Sequence, residues 1–173
     1  MESLKLVVPT LAYKEQVMAY KAEMLENHSG FAGCNGLRTV EMYEEWLDFR
    51  GRDEKKGRVP SHTWLTVRKS DGCVVGIVSY RSPLTDFMLQ YSGNIGYCIC
   101  PSERRKGYAK EQLRLTLEKC REAGETKLLL TCDPVNTGSE KAILANGGVL
   151  ENEVEDVPGF GKSGTLRRYW ITL

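Results

Sequence analysis

Apolar residues along the chain repeat on two periods, and the places where one gives way to the other divide it into strands and helices. Leu4 to Val8 is a short apolar run stopped by Pro9 and reads as a first strand. From Tyr13 to Glu26, Val17, Tyr20, Met24 and Leu25 make an apolar stripe at helical spacing. Asn27 to Gly36 reads as loop. Thr39 is a plausible N-cap for a second short helix that carries Met42, Trp46, Leu47 and Phe49 and reaches about Arg50. Gly51 to Pro60 is charged, holds glycines and has no apolar period, so it reads as a mobile surface loop, either a solvated connection or a substrate lid.

The second half is more regular. Thr63 to Lys69 and Cys73 to Arg81 are rich in β-formers and are separated by Ser70-Asp71-Gly72, a hairpin signal. Ser82 to Asn94 is a longer connection, and Ile95 to Cys100 is a strand closed by Pro101. From Tyr108 to Ala123, Ala109, Leu113, Leu117 and Cys120 recur at helical spacing. Lys110, Glu111, Arg114, Glu118 and Arg121 fill the other face, and Gly124 stands at the C-cap. Lys127 to Thr131 is a strand stopped by Asp133-Pro134. Asn136 to Asn146 is a helix with Ala142, Ile143 and Ala145 inward, ended by Gly147-Gly148. Val149 to Val157 and Leu166 to Thr172 are closing strands joined by a glycine-rich stretch from Gly159 to Gly164. The order (β, two helices, a hairpin, β, α, β, α, two strands) predicts a mixed α/β sheet and not a regular doubly wound one.

Composition narrows the possible partners. At 173 residues, 41% hydrophobic and 27% charged, the chain is expected to fold as a single soluble domain, 1–173. Lys and Arg total 24 against 23 Asp and Glu, a net charge of +1, which argues against a nucleic-acid partner. The 6 cysteines show no CxxC spacing and no histidine-rich companion, so no metal is expected and they read as free thiols of a reducing cytoplasm. Leu4 to Val8 is too short for a secretory signal and is interrupted by Lys5. No apolar run approaches membrane-spanning length, so the expected location is cytoplasmic, with no membrane partner.

Candidate chemistry concentrates between Gly96 and Gly124. There a strand leads through Arg104, Arg105, Lys106 and Gly107 into an amphipathic helix. The first amides of a helix lack internal acceptors and its dipole makes that end positive. A glycine there admits close approach, and three cations add charge. Together these form a phosphate cradle suited to a diphosphate-bearing ligand. A second glycine pattern, Gly159-Phe160-Gly161-Lys162-Ser163-Gly164, imitates GxGxxG but opens no helix within a βαβ unit, so it reads as hairpin-loop glycine.

Arg104-Arg105-Lys106-Gly107-Tyr108-Ala109 fits the pattern (Arg or Gln)-x-x-Gly-x-(Gly or Ala). Asp133-Pro134-Val135-Asn136-Thr137-Gly138-Ser139, with Ile143 and Asn146-Gly147-Gly148, fits an Asn-x-x-(Ser or Ala) helix ended by a glycine turn. In these two motifs and in its element order the chain resembles the GNAT superfamily of N-acetyltransferases. The resemblance implies an α/β (α+β) fold with a mixed, mostly antiparallel sheet of about six to seven strands, splayed between the fourth and fifth and flanked by about four helices. It implies acetyl-CoA, or another acyl-CoA, as co-substrate, and no metal. By position, the backbone of Ile99 and Cys100 pairs with the pantetheine arm, and Arg104, Arg105, Lys106, Gly107, Tyr108 and Ala109 hold the pyrophosphate. Asn136 lies near the pantetheine or the amine, and Ser139 and Lys141 near the rest of the cofactor. Asn136 is equally a good N-cap.

The implied activity is transfer of an acetyl group to a primary amine of a small molecule, peptide or protein. That amine must be delivered neutral from an ammonium of pKa roughly 10. An amide around Cys98 to Cys100 is a candidate oxyanion donor. The family's usual glutamate before the fourth strand is replaced here by Ser92-Gly93-Asn94-Ile95, and its usual helix tyrosine by Ile143. The candidate catalytic residues are therefore Tyr97, Cys98 (as a covalent acyl carrier) and Asn136. Tyr80, Asp133, Glu23, Glu26 or a water chain stand as substitutes for the acid and base.

Acidic residues at Glu41, Glu44, Glu45 and Asp48, and at Glu151, Glu153, Glu155 and Asp156, fit either a cleft for a cationic acceptor or solvated faces. His28 and His62 are isolated. A second copy of the chain is a candidate partner. Two alternatives stay open: a catalytically silent acyl-CoA-binding or sensing module, because the usual glutamate and tyrosine are missing, and a nucleotide-binding protein using the same cradle.

Overall fold

The computed structural model describes residues 2–51, 59–155 and 164–173. β1 (Leu4–Val7), β2 (Ser61–Arg68), β3 (Val74–Arg81) and β4 (Ile95–Ile99) form one sheet in that order. β5 (Lys127–Cys132), β6 (Val149–Val154) and β7 (Leu166–Thr172) form another, with β7 in the middle. Every ladder is antiparallel. β4 and β5 share none, so the sheet parts between the fourth and fifth strands, as the resemblance implied.

One buried side chain ties the two halves at the start of β4. Asn94 Oδ1 accepts from the N–H of Leu129 at 2.8 Å, and its backbone N–H donates to the Leu129 carbonyl at 2.7 Å. Its Nδ2 reaches back to the Arg81 carbonyl at 3.0 Å.

Burial follows the sequence pattern. β3 reads Val-Val-Gly-Ile-Val-Ser-Tyr-Arg and is buried from Val74 through Tyr80, as befits a strand covered on both faces. On one face α1 (Lys14–Glu26) and α2 (Tyr43–Gly51) place Val17, Tyr20, Met24 and Trp46 against Leu65, Val67 and Ile77. On the other, Leu113 and Leu117 of α4 (Tyr108–Glu122) and Ile143 of α5 (Thr137–Leu144) meet Val78, Ile95, Leu128, Leu130 and Tyr169.

The structure departs from expectation in a few places. A helix, α3 (Asp86–Tyr91), occupies the stretch read as connection; Thr85 caps it, accepting from the Met88 N–H at 3.2 Å. Its Phe87 and Leu89 are exposed, so no apolar stripe announced it. α2 begins at Tyr43 because Thr39 closes the preceding turn, donating to the Gly36 carbonyl at 3.0 Å, while Glu45 accepts from the amides of Glu41 and Met42. Leu25, expected in the α1 stripe, is exposed. Most of the Gly51–Pro60 loop and of the Gly159–Gly164 stretch, with Asp156, lies outside the described residues. Among the described residues no helix is long and apolar enough to cross a membrane, and no cluster of His, Cys, Asp and Glu could hold a metal ion.

Candidate functional site

Where β4 ends the chain makes one 3-10 turn, Pro101–Glu103, and enters α4 through Arg104 to Gly107. Glu23 of α1 pins this passage: its carboxylate accepts from the Ser102 N–H at 2.7 Å, the Ser102 hydroxyl at 3.1 Å and the Cys100 thiol at 3.0 Å. The three cations have different fates. Arg104 folds back, with Nε donating to the Ile99 carbonyl at 3.1 Å and Nη2 to Ser29 Oγ at 2.9 Å. Lys106 pairs at 2.8 Å with Glu103, which Arg68 also holds at 2.7 Å. Arg105 is exposed, at φ +62°, with no ion pair among the described residues.

Gly107, at φ +82°, stands at the N-cap with no side chain to satisfy the helix. Consequently the amides of Arg105, Lys106, Gly107, Tyr108 and Ala109 find no acceptor among the described residues. Five N–H groups and one guanidinium without partners among the described residues, with the positive pole of a 15-residue helix, make an anion site suited to a diphosphate. The side chain of Tyr108 does not join it. That ring is buried against Leu4, Val75 and Ile99, and its hydroxyl donates to Glu2 at 2.8 Å. Ala109 packs against the same cluster.

The edge of β4 is polarised by register. The Cys100 N–H donates to the Val75 carbonyl at 2.9 Å, and the Cys100 carbonyl accepts from Glu103 at 2.9 Å. Both backbone groups of Cys100, expected to meet a pantetheine arm, are therefore engaged within the protein. Because alternate residues point to opposite edges, Cys98 also turns its backbone to β3, and Tyr97 and Ile99 turn theirs to the seam facing β5. With the Ile99 carbonyl taken by Arg104, the seam-facing donors are the amides of Ile99 and Tyr97.

Side chains alternate as well, and this separates two of the candidate catalytic residues. Tyr97 faces α5, where its hydroxyl donates to the Ser139 carbonyl at 3.2 Å and lies 2.9 Å from Ser139 Oγ. Burial pushes its pKa up to about 12, against the hydrogen bond from Ser139. Asn136 caps α5, its Oδ1 accepting from the Ser139 N–H at 3.1 Å, so Tyr97, Ser139 and Asn136 come together across the seam. Lys141 is exposed on the same helix. Cys98 faces α1 instead, 2.8 Å from the Tyr20 hydroxyl and 3.3 Å from Cys34 Sγ. The hydrogen bond from Cys34 lowers its thiol pKa, with burial opposing.

The substitute acids and bases are dispersed. Tyr80 donates to Glu125 and is pushed up to about 12 by burial and that carboxylate. Asp133 Oδ1 accepts from the Val135 N–H at 3.0 Å, and Glu26 is exposed at the end of α1. Four of the eight acidic residues considered for a cationic acceptor already have these partners: Glu44 with Lys14 at 2.7 Å, Glu151 with Arg168 at 2.9 Å, Glu153 with Arg167 at 2.6 Å, and Glu45 as a cap. Three residues escaped the sequence reading. Asn94 follows a glycine and precedes a strand, which is its one local signal. Ser79 and Arg81 lie inside an ordinary strand pattern.

The family model described as the acetyltransferase (GNAT) domain matches residues 7–149. A search of curated protein sequences returned no match. Among solved structures, the ribosomal-protein-S5-alanine acetyltransferase from Vibrio fischeri is similar at 18% identity and a TM-score of 0.74, covering 99% of this chain and 94% of that one. RimL, a ribosomal L7/L12 alpha-N-protein acetyltransferase in complex with coenzyme A, is similar at 13% identity and a TM-score of 0.73, with 99% and 94% covered. The microcin C7 self-immunity acetyltransferase MccE, in complex with acetyl-CoA and AMP, is similar at 16% identity and a TM-score of 0.71, with 100% and 94% covered.

Proposed function

Because the chain belongs to the GNAT acetyltransferase family, we propose that it moves an acetyl group from acetyl-CoA onto a primary amine of a small molecule, peptide or protein. The observation that carries this reading is the run of amides from Arg105 to Ala109 with no acceptor among the described residues, shortly after the strand at which the sheet parts. Solved neighbours that hold acetyl-CoA or coenzyme A lend it support.

Acetyl-CoA supplies an acyl carbon activated as a thioester. The chain's own residues do the rest. The amides of 105–109 and the Arg105 guanidinium hold the pyrophosphate, and Lys106 is within reach of the same charge once released from Glu103. The seam-facing N–H groups of Ile99 and Tyr97 orient the arm and offer a preformed donor to an oxygen that gains charge. Tyr97, neutral at physiological pH like any tyrosine and pushed up further to about 12 by burial, keeps a proton at its hydroxyl for a leaving sulfur. Ser139, held by the Asn136 cap, positions that hydroxyl.

Calorimetric titration with coenzyme A and thiol release from acetyl-CoA across a broad amine panel test the reading together. Tight coenzyme A binding with amine-dependent release is the expected result. Binding with no release from any amine favours the silent binding module, and no binding at all overturns the reading.

A further inference from the structure

On the α1 face of the first sheet, at the end of β4 farthest from the cradle, the residues are polar where the rest of that face is apolar. Cross-strand register puts Ser61 beside Arg81, and Thr63 beside Ser79, which in turn faces Gly96. Asn35 closes part of this patch, donating to Ser61 Oγ and Thr63 Oγ1 at 2.9 Å each. Two groups are left unmet. Ser79 is fully buried and its Oγ has no hydrogen-bond partner among the described residues. Arg81 has a buried Nε with no partner, and its guanidinium forms neither a hydrogen bond nor an ion pair among the described residues.

Arg81 is half-buried, and leaving its buried Nε without an acceptor is costly; native structures rarely keep such an atom without a use for it. Burial is the influence that moves Arg81, and it lowers the pKa, as expected where nothing nearby compensates the charge. The glycines opposite are matched to it. A Cβ added at Gly96 would lie 3.4 Å from Arg81 Nη2 and 2.8 Å from the Gly33 nitrogen. The tight contact is with the Gly33 backbone, which packs against Gly96 beside the guanidinium.

We infer that Arg81, with Ser79, binds an oxyanion, a carboxylate or a phosphate, carried by the amine acceptor. The inference rests on the proposed acetyl transfer for one step only. The donor is gripped beyond one end of β4, at residues 105–109, so the acceptor approaches from the other, where Arg81 lies. A planar guanidinium with a hydroxyl two residues away on the same face suits bidentate capture of an oxyanion. The charge is opposite to that expected from the acidic stretches, four of whose eight carboxylates are engaged in ion pairs and a cap. The acceptor is then a zwitterion, a free amino acid or aminoalkyl phosphate, and not a polyamine.

The test uses the coenzyme A-saturated full chain. Amino acids, their amides and aminoalkyl phosphates of matched length are titrated calorimetrically and then offered as acceptors with acetyl-CoA. We expect an acid or a phosphate to bind at least about tenfold tighter than its neutral counterpart, and the better of the two arms names the oxyanion. Arg81→Gln should abolish that preference and Arg81→Lys should keep part of it, both with unchanged coenzyme A affinity, and Arg81→Gln should melt no lower than the wild type. Ser79→Ala should weaken oxyanion binding severalfold. Equal binding of acids, phosphates and amides, preference surviving in Arg81→Gln, or no binding by any probe to the loaded wild type would overturn the inference. Failure to bind coenzyme A would instead overturn the proposed acetyl transfer, so the two failures are told apart by the first titration.

Discussion

Arg104 Nε donates to the carbonyl of Ile99 at 3.1 Å, so the first cation of the phosphate turn is committed to the strand that precedes it. Arg105, one residue on, is exposed with no ion pair among the described residues. Adjacent arginines in one motif should therefore fail in different ways. Arg104→Met should lower the melting temperature, because the Ile99 carbonyl and Ser29 hydroxyl both lose a charged donor, a loss of roughly 1–3 kcal/mol. Arg105→Met should leave the melting temperature alone and raise the dissociation constant of coenzyme A by about tenfold, less at high salt. Thermal melts and calorimetry on the two variants check this. Equal melting temperatures with equal losses of affinity would show that both guanidinium groups face the ligand.

Gly107 sets the entry to α4 at φ +82°, a conformation that costs an L-residue roughly 1–2 kcal/mol. Gly107→Ala should therefore destabilise by about that amount, and Gly107→Val should in addition remove most coenzyme A affinity, since its branched side chain stands among the free amides. Unchanged affinity in a folded Gly107→Val protein would show that the ligand passes elsewhere.

Glu23 gives the turn a pH dependence. Burial raises its pKa, but hydrogen bonds from the Cys100 thiol and from the Ser102 amide and hydroxyl, with the charge of Arg104, together hold it below the ordinary value. A carboxylate depressed in the folded state stabilises above its unfolded pKa of about 4.3, and that stabilisation is lost as pH falls through the lower folded value. The melting-temperature gap between wild type and Glu23→Gln should thus be widest near neutrality and shrink below about pH 4. A gap of constant size across that range would mean that the carboxylate acts through shape and not charge.

Much of this was legible in the sequence, and the exceptions share a cause. The strands, the long helix and the Gly107 turn announced themselves through period and through a residue type that alone fits the backbone. The parting of the sheet was implied by resemblance. What sequence could not show is which side of a strand a backbone group serves. Cys100 looked like a seam residue until its N–H was seen to reach Val75, and the same parity that engages Cys100 frees Ile99. Nor can a run of like residues reveal its partners: three consecutive cations divide into an anchor, a half-neutralised pair and one free charge. Helix α3 was missed because Phe87 and Leu89 face solvent, and Arg81 because an arginine at a strand end is ordinary until it is found to have no counter-charge among the described residues.

Tyr97 and Cys98, adjacent in sequence, answer to opposite layers of the fold, and that decides between two chemistries. Tyr97→Phe removes the hydroxyl at the seam but keeps the ring. The maximal rate should fall about a hundredfold, as expected for loss of a positioned proton donor, with little change in the affinity for acetyl-CoA. Since burial places the Tyr97 pKa near 12, the wild-type rate should show no alkaline fall from this group below about pH 10. Cys98→Ala should keep the rate within a small factor and lower stability by roughly 1–3 kcal/mol, because the buried Tyr20 hydroxyl loses its partner. The covalent route makes the reverse claim. If Cys98→Ala abolishes turnover while folding normally, and mass spectrometry of the wild type traps an acetyl thioester on Cys98, then the acyl group passes through the α1 layer and the seam-facing tyrosine is a spectator.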